Sequence, residues 1–307
     1  MGVHQNILDG IGNTPVVFLN RVKGDCPANI IGKLEMLNPS GSIKARTAWG
    51  MILNAEKEGF IKPGSTIVEP SSGNQGVGLA MVGAVRGYRV VIVMPDSMSK
   101  ERRQLVKAFG GEVVLTPGDA DVSGAVKKAR ELVESIPEAW MPDQFGNPAN
   151  PGYHEQTTGR EILEQVNCPV DAFVAGVGTG GTLTGVSRLL KKKYPRMQVY
   201  AVEPAGSAVI SGGSPGSHGI QGIGDGFIPG NLDRSLVDST FTVTDEQAME
   251  MARRLAGEEG LLAGISSGAA VYAAVEVGKR LGQGKTVLTI LPDTGERYLS
   301  LNLYSHG

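Results

Sequence analysis

The sequence predicts an α/β protein of two domains, each built on a mostly parallel sheet with helices on both faces. Three observations lead there. Short apolar runs alternate with longer amphipathic stretches, the turns between them are rich in glycine and serine, and one segment near the middle breaks the pattern. Strand and helix alternating at this spacing make parallel β-α-β connections, whose helices cover the sheet. A chain of 307 residues is also too long for one simple core.

Thr66-Ile67-Val68-Glu69-Pro70 reads as a buried strand, followed by the turn Ser71-Ser72-Gly73-Asn74 and a helix from Gln75 to Arg86. Arg89 to Met94 is a second strand ended by Pro95, with a helix from about Ser99 to Phe109. Glu112 to Leu115 is a third strand, and Val122 to Ile136 a third helix. The segment Trp140 to Tyr153 then loses all periodicity and holds Pro142, Pro148, Pro151, Gly146 and Gly152, which marks a domain hinge. Beyond it, Ala172 to Ala175 is a strand, Leu183 to Lys193 a helix, and Gln198 to Val202 a strand. The stretch from Gly206 to Gly230 is irregular, of a length that signals function or disorder. Helices over Asp245 to Glu259 and Ser267 to Leu281 and a strand over Thr286 to Leu291 complete the second domain. The expected division is 1–145 and 146–307.

Composition narrows the function class. Net charge is −2 with acids and bases interspersed, so nothing favours nucleic acid or an anionic membrane. Lys191-Lys192-Lys193 suits a helix C-terminus. Cys26 and Cys168 lack metal-ligand or redox spacing, and the histidines do not cluster, so no metal site is expected and His154 and His218 read as surface residues. No signal pattern or membrane-length apolar run is visible, and a cytoplasmic protein is expected. The 44 glycines, about twice an average share, point to tight turns and close backbone approach.

Four turns carry unusual residues where an open parallel sheet binds its ligands, at strand ends that feed helix N-termini. Gly176-Val177-Gly178-Thr179-Gly180-Gly181-Thr182 suits a phosphate, because N–H groups and the helix dipole favour an anion; glycines for packing alone are the alternative. It is no P-loop, since no Gly-Lys-Ser/Thr follows. In Asn38-Pro39-Ser40-Gly41-Ser42-Ile43-Lys44 a lysine stands just inside a helix start, where the dipole repels it. A Schiff base to an aldehyde cofactor would compensate; a solvated lysine is the alternative. Ser71-Ser72-Gly73-Asn74-Gln75-Gly76 and Gly264-Ile265-Ser266-Ser267-Gly268 each open a helix and read either as anion sites or as simple N-caps.

These four segments, in this order, resemble the fold type II pyridoxal-phosphate enzymes, of tryptophan synthase β-like architecture, and within them the cysteine synthase and cystathionine β-synthase family. The likeness runs from Ile11-Gly12-Asn13-Thr14-Pro15 to Gly295-Glu296-Arg297-Tyr298-Leu299-Ser300, through Met94-Pro95-Asp96-Ser97-Met98-Ser99, Gln144-Phe145 and Gln221-Gly222-Ile223-Gly224. The resemblance implies pyridoxal 5'-phosphate held by Lys44 as an internal aldimine, with Asn74 on the ring hydroxyl. It places Gly178, Thr179, Gly180 and Thr182 on the phosphate, Ser266 at the pyridine nitrogen, and Ser71, Ser72, Gln75 and Gln144 around the substrate carboxylate. It also implies that residues about 13–34 pack on the C-terminal domain, a homodimer, and serine acetyltransferase as a candidate partner.

The implied reaction is β-replacement, O-acetyl-L-serine and sulfide to L-cysteine and acetate through an aminoacrylate. A serine at the pyridine nitrogen fits, since a neutral ring is a weaker electron sink and suits β-elimination better than transamination. Two positions depart from the family pattern. Gln75 stands where threonine is usual, and Asp225 where a small residue is usual. A carboxylate there would repel HS⁻ and could serve as a base, which favours an alternative enzyme using cysteine or serine in β-elimination or exchange. Another alternative is a catalytically silent homologue that binds a partner, against which Lys44, Asn74 and the phosphate loop argue.

Overall fold

A computed structural model describes residues 2–71, 73–97, 100–118, 121–301 and 303–304. Among them the strands are β1 (Val16–Phe18), β2 (Asn29–Lys33), β3 (Thr66–Pro70), β4 (Arg89–Pro95), β5 (Glu112–Thr116), β6 (Ala139–Trp140), β7 (Ala172–Gly176), β8 (Gln198–Pro204), β9 (Ser239–Val243) and β10 (Thr286–Ile290). The α-helices are α1 (Lys44–Lys57), α2 (Asn74–Arg86), α3 (Lys100–Ala108), α4 (Asp121–Ser135), α5 (Ala149–His154), α6 (Arg160–Gln165), α7 (Gly181–Lys193), α8 (Asp245–Glu259) and α9 (Ile265–Leu281). A π-turn, Glu155–Gly159, joins α5 to α6. None of the described helices is long and apolar enough to cross a membrane.

The chain forms two compact units, one of Met1–Ile11 with Asn38–Asn150, the other of Gly12–Leu37 with Pro151–Gly307. The first unit holds a parallel sheet in the order β5-β4-β3-β6. Its strands are apolar throughout because both faces are covered. Ile67, Val90, Ile92 and Met94 share a core with α1 and α2, while the intervening Val68, Val91 and Val93 pack with Ala125 and Ala129 of α4. Helix α2 stops at Gly87, whose φ of 75° closes the helix in the left-handed conformation.

The second unit holds a six-stranded sheet in the order β1-β2-β10-β7-β8-β9, parallel except for β1. Two of its strands come from the N-terminal segment, with Asn29–Lys33 of β2 in register with Thr286–Ile290 of β10. Ala172, Val174, Val202 and Val287 share a core with the apolar faces of α8 and α9. Helix α8 begins with a capping box between Thr244 and Gln247, and it ends at Gly260 in the left-handed conformation. Gly268 lets α9 lie against α8, since a Cβ there would collide with the carbonyl of Ala248.

Each unit anchors strand ends and turns through buried polar side chains. In the first, Glu69 of β3 is buried and accepts the backbone N–H groups of Asp143 and Gln144 at 3.2 Å each. In the second, the buried Lys33 ammonium donates to Thr14 O at 2.7 Å, Glu161 Oε2 at 2.6 Å and Gln165 Oε1 at 2.9 Å, so all three of its protons have acceptors.

Burial pushes the Glu69 carboxyl up to about 8, outweighing the two N–H donors and the nearby Lys44 charge. A carboxyl raised in the folded state contributes stability that is fully present below its unfolded value, near 4.5, and lost as pH rises through about 8. The urea-unfolding free energy of the wild type should therefore fall relative to that of Glu69→Gln between pH 5 and pH 8.5, by on the order of a few kcal/mol. A pH-independent difference would mean that Glu69 is ionised throughout. Replacing Lys33 with methionine strands the Glu161 carboxylate and should cost about 3 kcal/mol in urea unfolding.

Candidate active site

In the first unit, Lys44 is the first residue of α1; the N-cap Ile43 offers no side-chain acceptor, and the Lys44 N–H is taken by Ser42 Oγ at 3.3 Å. The preceding loop is held tightly: Ser40 takes φ 68° and Gly41 φ 69°. A left-handed serine is uncommon and marks a locally constrained backbone. Gly78 of α2 lies against the start of α1, since a Cβ there would stand 2.8 Å from the Lys44 carbonyl oxygen. The two helix starts thus lie side by side, and the Lys44 ammonium sits where the positive ends of their dipoles meet. Glu69 is close enough to act on Lys44 electrostatically.

The Ser71–Gly76 turn combines both of its sequence readings. Ser71 Oγ accepts the N–H groups of Gly73 at 3.3 Å and Gly76 at 3.2 Å, a capping role, and keeps its own O–H to offer. Gln75 is 1% exposed, and neither its amide oxygen nor its amide nitrogen has a hydrogen-bond partner among the described residues. An orphaned buried amide is costly, so this side chain calls for a ligand with complementary polar atoms. Asn74 opens α2 half-buried, and Ser72 lies outside the described residues. Gln144 is buried, its N–H held by Glu69 and its carbonyl accepting from Asn150 Nδ2 at 2.9 Å.

In the second unit, β7 runs into the glycine turn and α7. Gly180 caps the helix at φ 77°, and a Cβ there would come within 2.8 Å of Leu232 N. A Cβ on Gly178 would collide with the Gly222 carbonyl. Packing therefore requires these glycines, and the same closeness leaves the helix start open to an anion. The first intrahelical bond runs from Thr184 N to Gly180 O, so the N–H groups of Gly181, Thr182 and Leu183 precede it without helical acceptors. Thr179 is buried and Thr182 half-buried beside them. This cradle fits a phosphate.

Ser266 and Ser267 are inside α9 and do not cap it; the N-cap is Gly264. Gly264 donates to Asp293 O at 2.9 Å, and Asp293 Oδ2 in turn accepts from Tyr298 Oη at 2.7 Å. Gly222 links Ser266 to the phosphate loop: its carbonyl abuts Gly178, and a Cβ on it would stand 3.9 Å from Ser266 Oγ. A group with a phosphate at one end and a ring nitrogen at the other can therefore be met by this unit alone. Asp225 follows in the same turn with an exposed side chain, its Oδ2 3.8 Å from where a Gly178 Cβ would lie.

The irregular stretch 206–230 is ordered by polar anchors. Glu203 accepts from Ile210 N at 2.7 Å and Ser211 N at 3.0 Å, and His218 Nε2 pairs with Gly224 O at 2.9 Å. His218 is thus partly buried rather than a plain surface residue. The surface reading of His154 is overturned outright, since it is 1% exposed. Its Nδ1 lies 2.9 Å from Thr158 Oγ1 and its Nε2 3.4 Å from Thr182 Oγ1. Glu69 and His154 are the residues sequence reasoning missed. An acid within the apolar strand Thr66–Pro70 was a visible signal; His154 gave none. No group of three or more His, Cys, Asp or Glu that could hold a metal occurs among the described residues.

The model of the family described as "Pyridoxal-phosphate dependent enzyme" matches residues 7–293. A cysteine synthase of Staphylococcus aureus (strain N315) is 58% identical over 301 residues, covering 98% of this chain and 97% of that protein. Among solved structures, the cysteine synthase of Entamoeba histolytica has a TM-score of 0.95 at 42% identity, covering 100% of this chain and 93% of that one. A hydrogen sulfide-producing enzyme of Fusobacterium nucleatum has a TM-score of 0.92 at 43% identity, covering 96% of this chain and 100% of that one. With the phosphate cradle, the helix-start lysine and near full-length likeness together, the chain belongs to the pyridoxal-phosphate dependent enzymes and is a fold type II member of them.

Proposed function

We propose that the protein joins O-acetyl-L-serine and sulfide to give L-cysteine and acetate, by replacement at the β-carbon. The observation that carries this reading is the 58% identity with a cysteine synthase over 98% of the chain. Pyridoxal phosphate, when bound, supplies an aldehyde for amino groups and a conjugated ring that withdraws electrons from the substrate α-carbon.

The family likeness supplies the roles of this chain's residues, and their placement supports them. Gly178, Thr179, Gly180 and Thr182 hold the phosphate through N–H and hydroxyl donors at the start of α7. Ser266 meets the ring nitrogen with a hydroxyl too weakly acidic to surrender its proton, which favours elimination over transamination. Asn74 holds the ring hydroxyl. Lys44 Nζ would hold the aldehyde, and its amine would be the base available for the substrate α-proton. The O–H of Ser71, the start of α2, Gln75 and Gln144 hold the substrate carboxylate, with Ser72 in the same turn. Departure of acetate and attack by sulfide then make the reaction a double displacement. The working form is a cytoplasmic homodimer, and serine acetyltransferase is the candidate protein partner.

One observation favours a second reading. The Asp225 carboxylate stands beside the Gly178 turn, where it disfavours an anionic nucleophile and offers a base to a neutral thiol or water. In that reading the donor is cysteine or serine, and the hydrogen sulfide-producing relative is the better comparison.

Titrating the holoenzyme in turn with O-acetylserine, serine and cysteine separates these readings. O-acetylserine should shift the visible cofactor band, and sulfide should restore it. A response to cysteine or serine alone would establish the lyase or exchange reading, and no response to any would leave a silent homologue. Lys44→Ala should abolish turnover, with a loss of at least about 1000-fold in kcat, while phosphate binding persists. Under the second reading, Asp225→Ala moves the kcat/KM preference from cysteine toward O-acetylserine by about tenfold or more; under the first it leaves preference unchanged.

A further inference from the structure

Helix α7 packs on the segment 151–159 more closely than a side chain would permit. A Cβ on Gly185 would collide with the Pro151 carbonyl and stand 2.9 Å from His154 Cβ, and a Cβ on Gly159 would stand 3.2 Å from Leu189 Cδ2. Thr182, Gly185 and Leu189 lie on one face of α7, at spacings of three and four residues. The missing side chain at Gly185 thus admits the His154 ring to the turn above it, where Thr182 sits. The π-turn that begins at Glu155 presents Thr158 to the other ring nitrogen. π-turns of this kind recur where a helix is adjusted for function.

Two neutral tautomers satisfy these contacts, and they differ at Thr182. If Nε2 is bare, it takes the Thr182 proton, and the threonine presents lone pairs to the helix start. If Nε2 carries the proton, it donates to Thr182 Oγ1, Nδ1 accepts from Thr158, and the Thr182 O–H is released. Only the second arrangement suits an anion. We infer that His154 is a positioning residue for the phosphate loop, donating from Nε2 to Thr182 Oγ1 so that the threonine O–H points at the cofactor phosphate. This rests on the phosphate-loop reading of residues 176–182. His154 touches neither substrate nor cofactor and acts through Thr182.

The test combines variants with a measurement on the wild type. Asparagine reproduces Nδ1 of histidine and glutamine reproduces Nε2, so His154→Asn breaks the Thr182 contact and His154→Gln retains it. His154→Asn should weaken pyridoxal-phosphate binding about tenfold and shift the 31P resonance of the bound cofactor, while His154→Gln stays within about threefold. In a Thr182→Val background, His154→Asn should cause no further loss, the coupling expected of groups acting as one unit. Equal losses in the Asn and Gln variants, or additive losses with Thr182→Val, would overturn the inference. An unchanged cofactor affinity in Thr182→Val alone would instead sink the phosphate-loop reading on which it rests. Should the His154 variants not fold, the 15N resonances of His154 in wild-type holoenzyme decide it: a proton on Nε2 supports the inference, and a bare Nε2 ends it.

Discussion

The first N–H groups of a helix have no acceptor within it, and each unit meets that deficit at its helix starts in a different way. In the first unit, Ser71 satisfies Gly76 of α2 and the adjoining Gly73, while the start of α1 carries a lysine that its dipole opposes. In the second, the N–H groups before Thr184 are left without helical acceptors, and α9 begins with serines that do not cap it. A buried donor without a partner costs about 1–3 kcal/mol. Several such donors at strand ends are a standing demand for an anionic, hydrogen-bonding ligand, and phosphate and carboxylate are the groups that meet it.

The framework around these starts is polar as well as apolar. Glu69 fixes the backbone at Gln144, Glu203 fixes the loop after β8, Asp293 braces Gly264, and His154 lies behind Thr182. Glu69 and His154 reach from buried positions to a site residue, Glu203 orders the stretch that leads to Gly222, and Asp293 accepts the Gly264 N–H through its own carbonyl. A single such bond contributes only about 1 kcal/mol to stability, but it removes freedom from a turn that would otherwise sample several conformations. Glycines complete the arrangement by admitting close contacts, as Gly178 does with Gly222 and Gly78 with Lys44. In this protein the glycine-rich turn before α7 is a packing device, and its lack of side chains leaves the N–H groups of the helix start accessible to an anion.

Strands β3, β4, β5, β7, β8 and β10 and the helices α2, α3, α4, α7, α8 and α9 were legible because each carries its own local signal, an apolar run or amphipathic stretch bounded by turn residues. The turns bearing Lys44, Asn74, Gly178 and Ser266 were legible as polar or glycine-rich residues at helix starts, although only those of Asn74 and Gly178 follow a strand directly. Strands β1, β2, β6 and β9 were not: β1 and β6 span three and two residues, β9 alternates polar and apolar residues, and β2 ends in a lysine whose burial makes sense only once Thr14, Glu161 and Gln165 surround it. His154 hid similarly: nothing near it in sequence distinguishes it from an exposed helical histidine, and its burial depends on Gly185, far along the chain.

The sequence by itself determined the fold class, the order of its main elements, the junctions that can bind anions and the lysine suited to an aldehyde cofactor. All of these depend on residues within one or two turns of each other, where periodicity and capping act. The resemblance set residues about 13–34 against the later domain, but only the tertiary structure decided that they join its sheet as β1 and β2, that Glu69 and Lys33 are buried, and that His154 lies behind Thr182. Those outcomes rest on pairings between residues distant in the chain, and burial, with the energetic cost it places on every charge and hydroxyl, exists only after such pairings form.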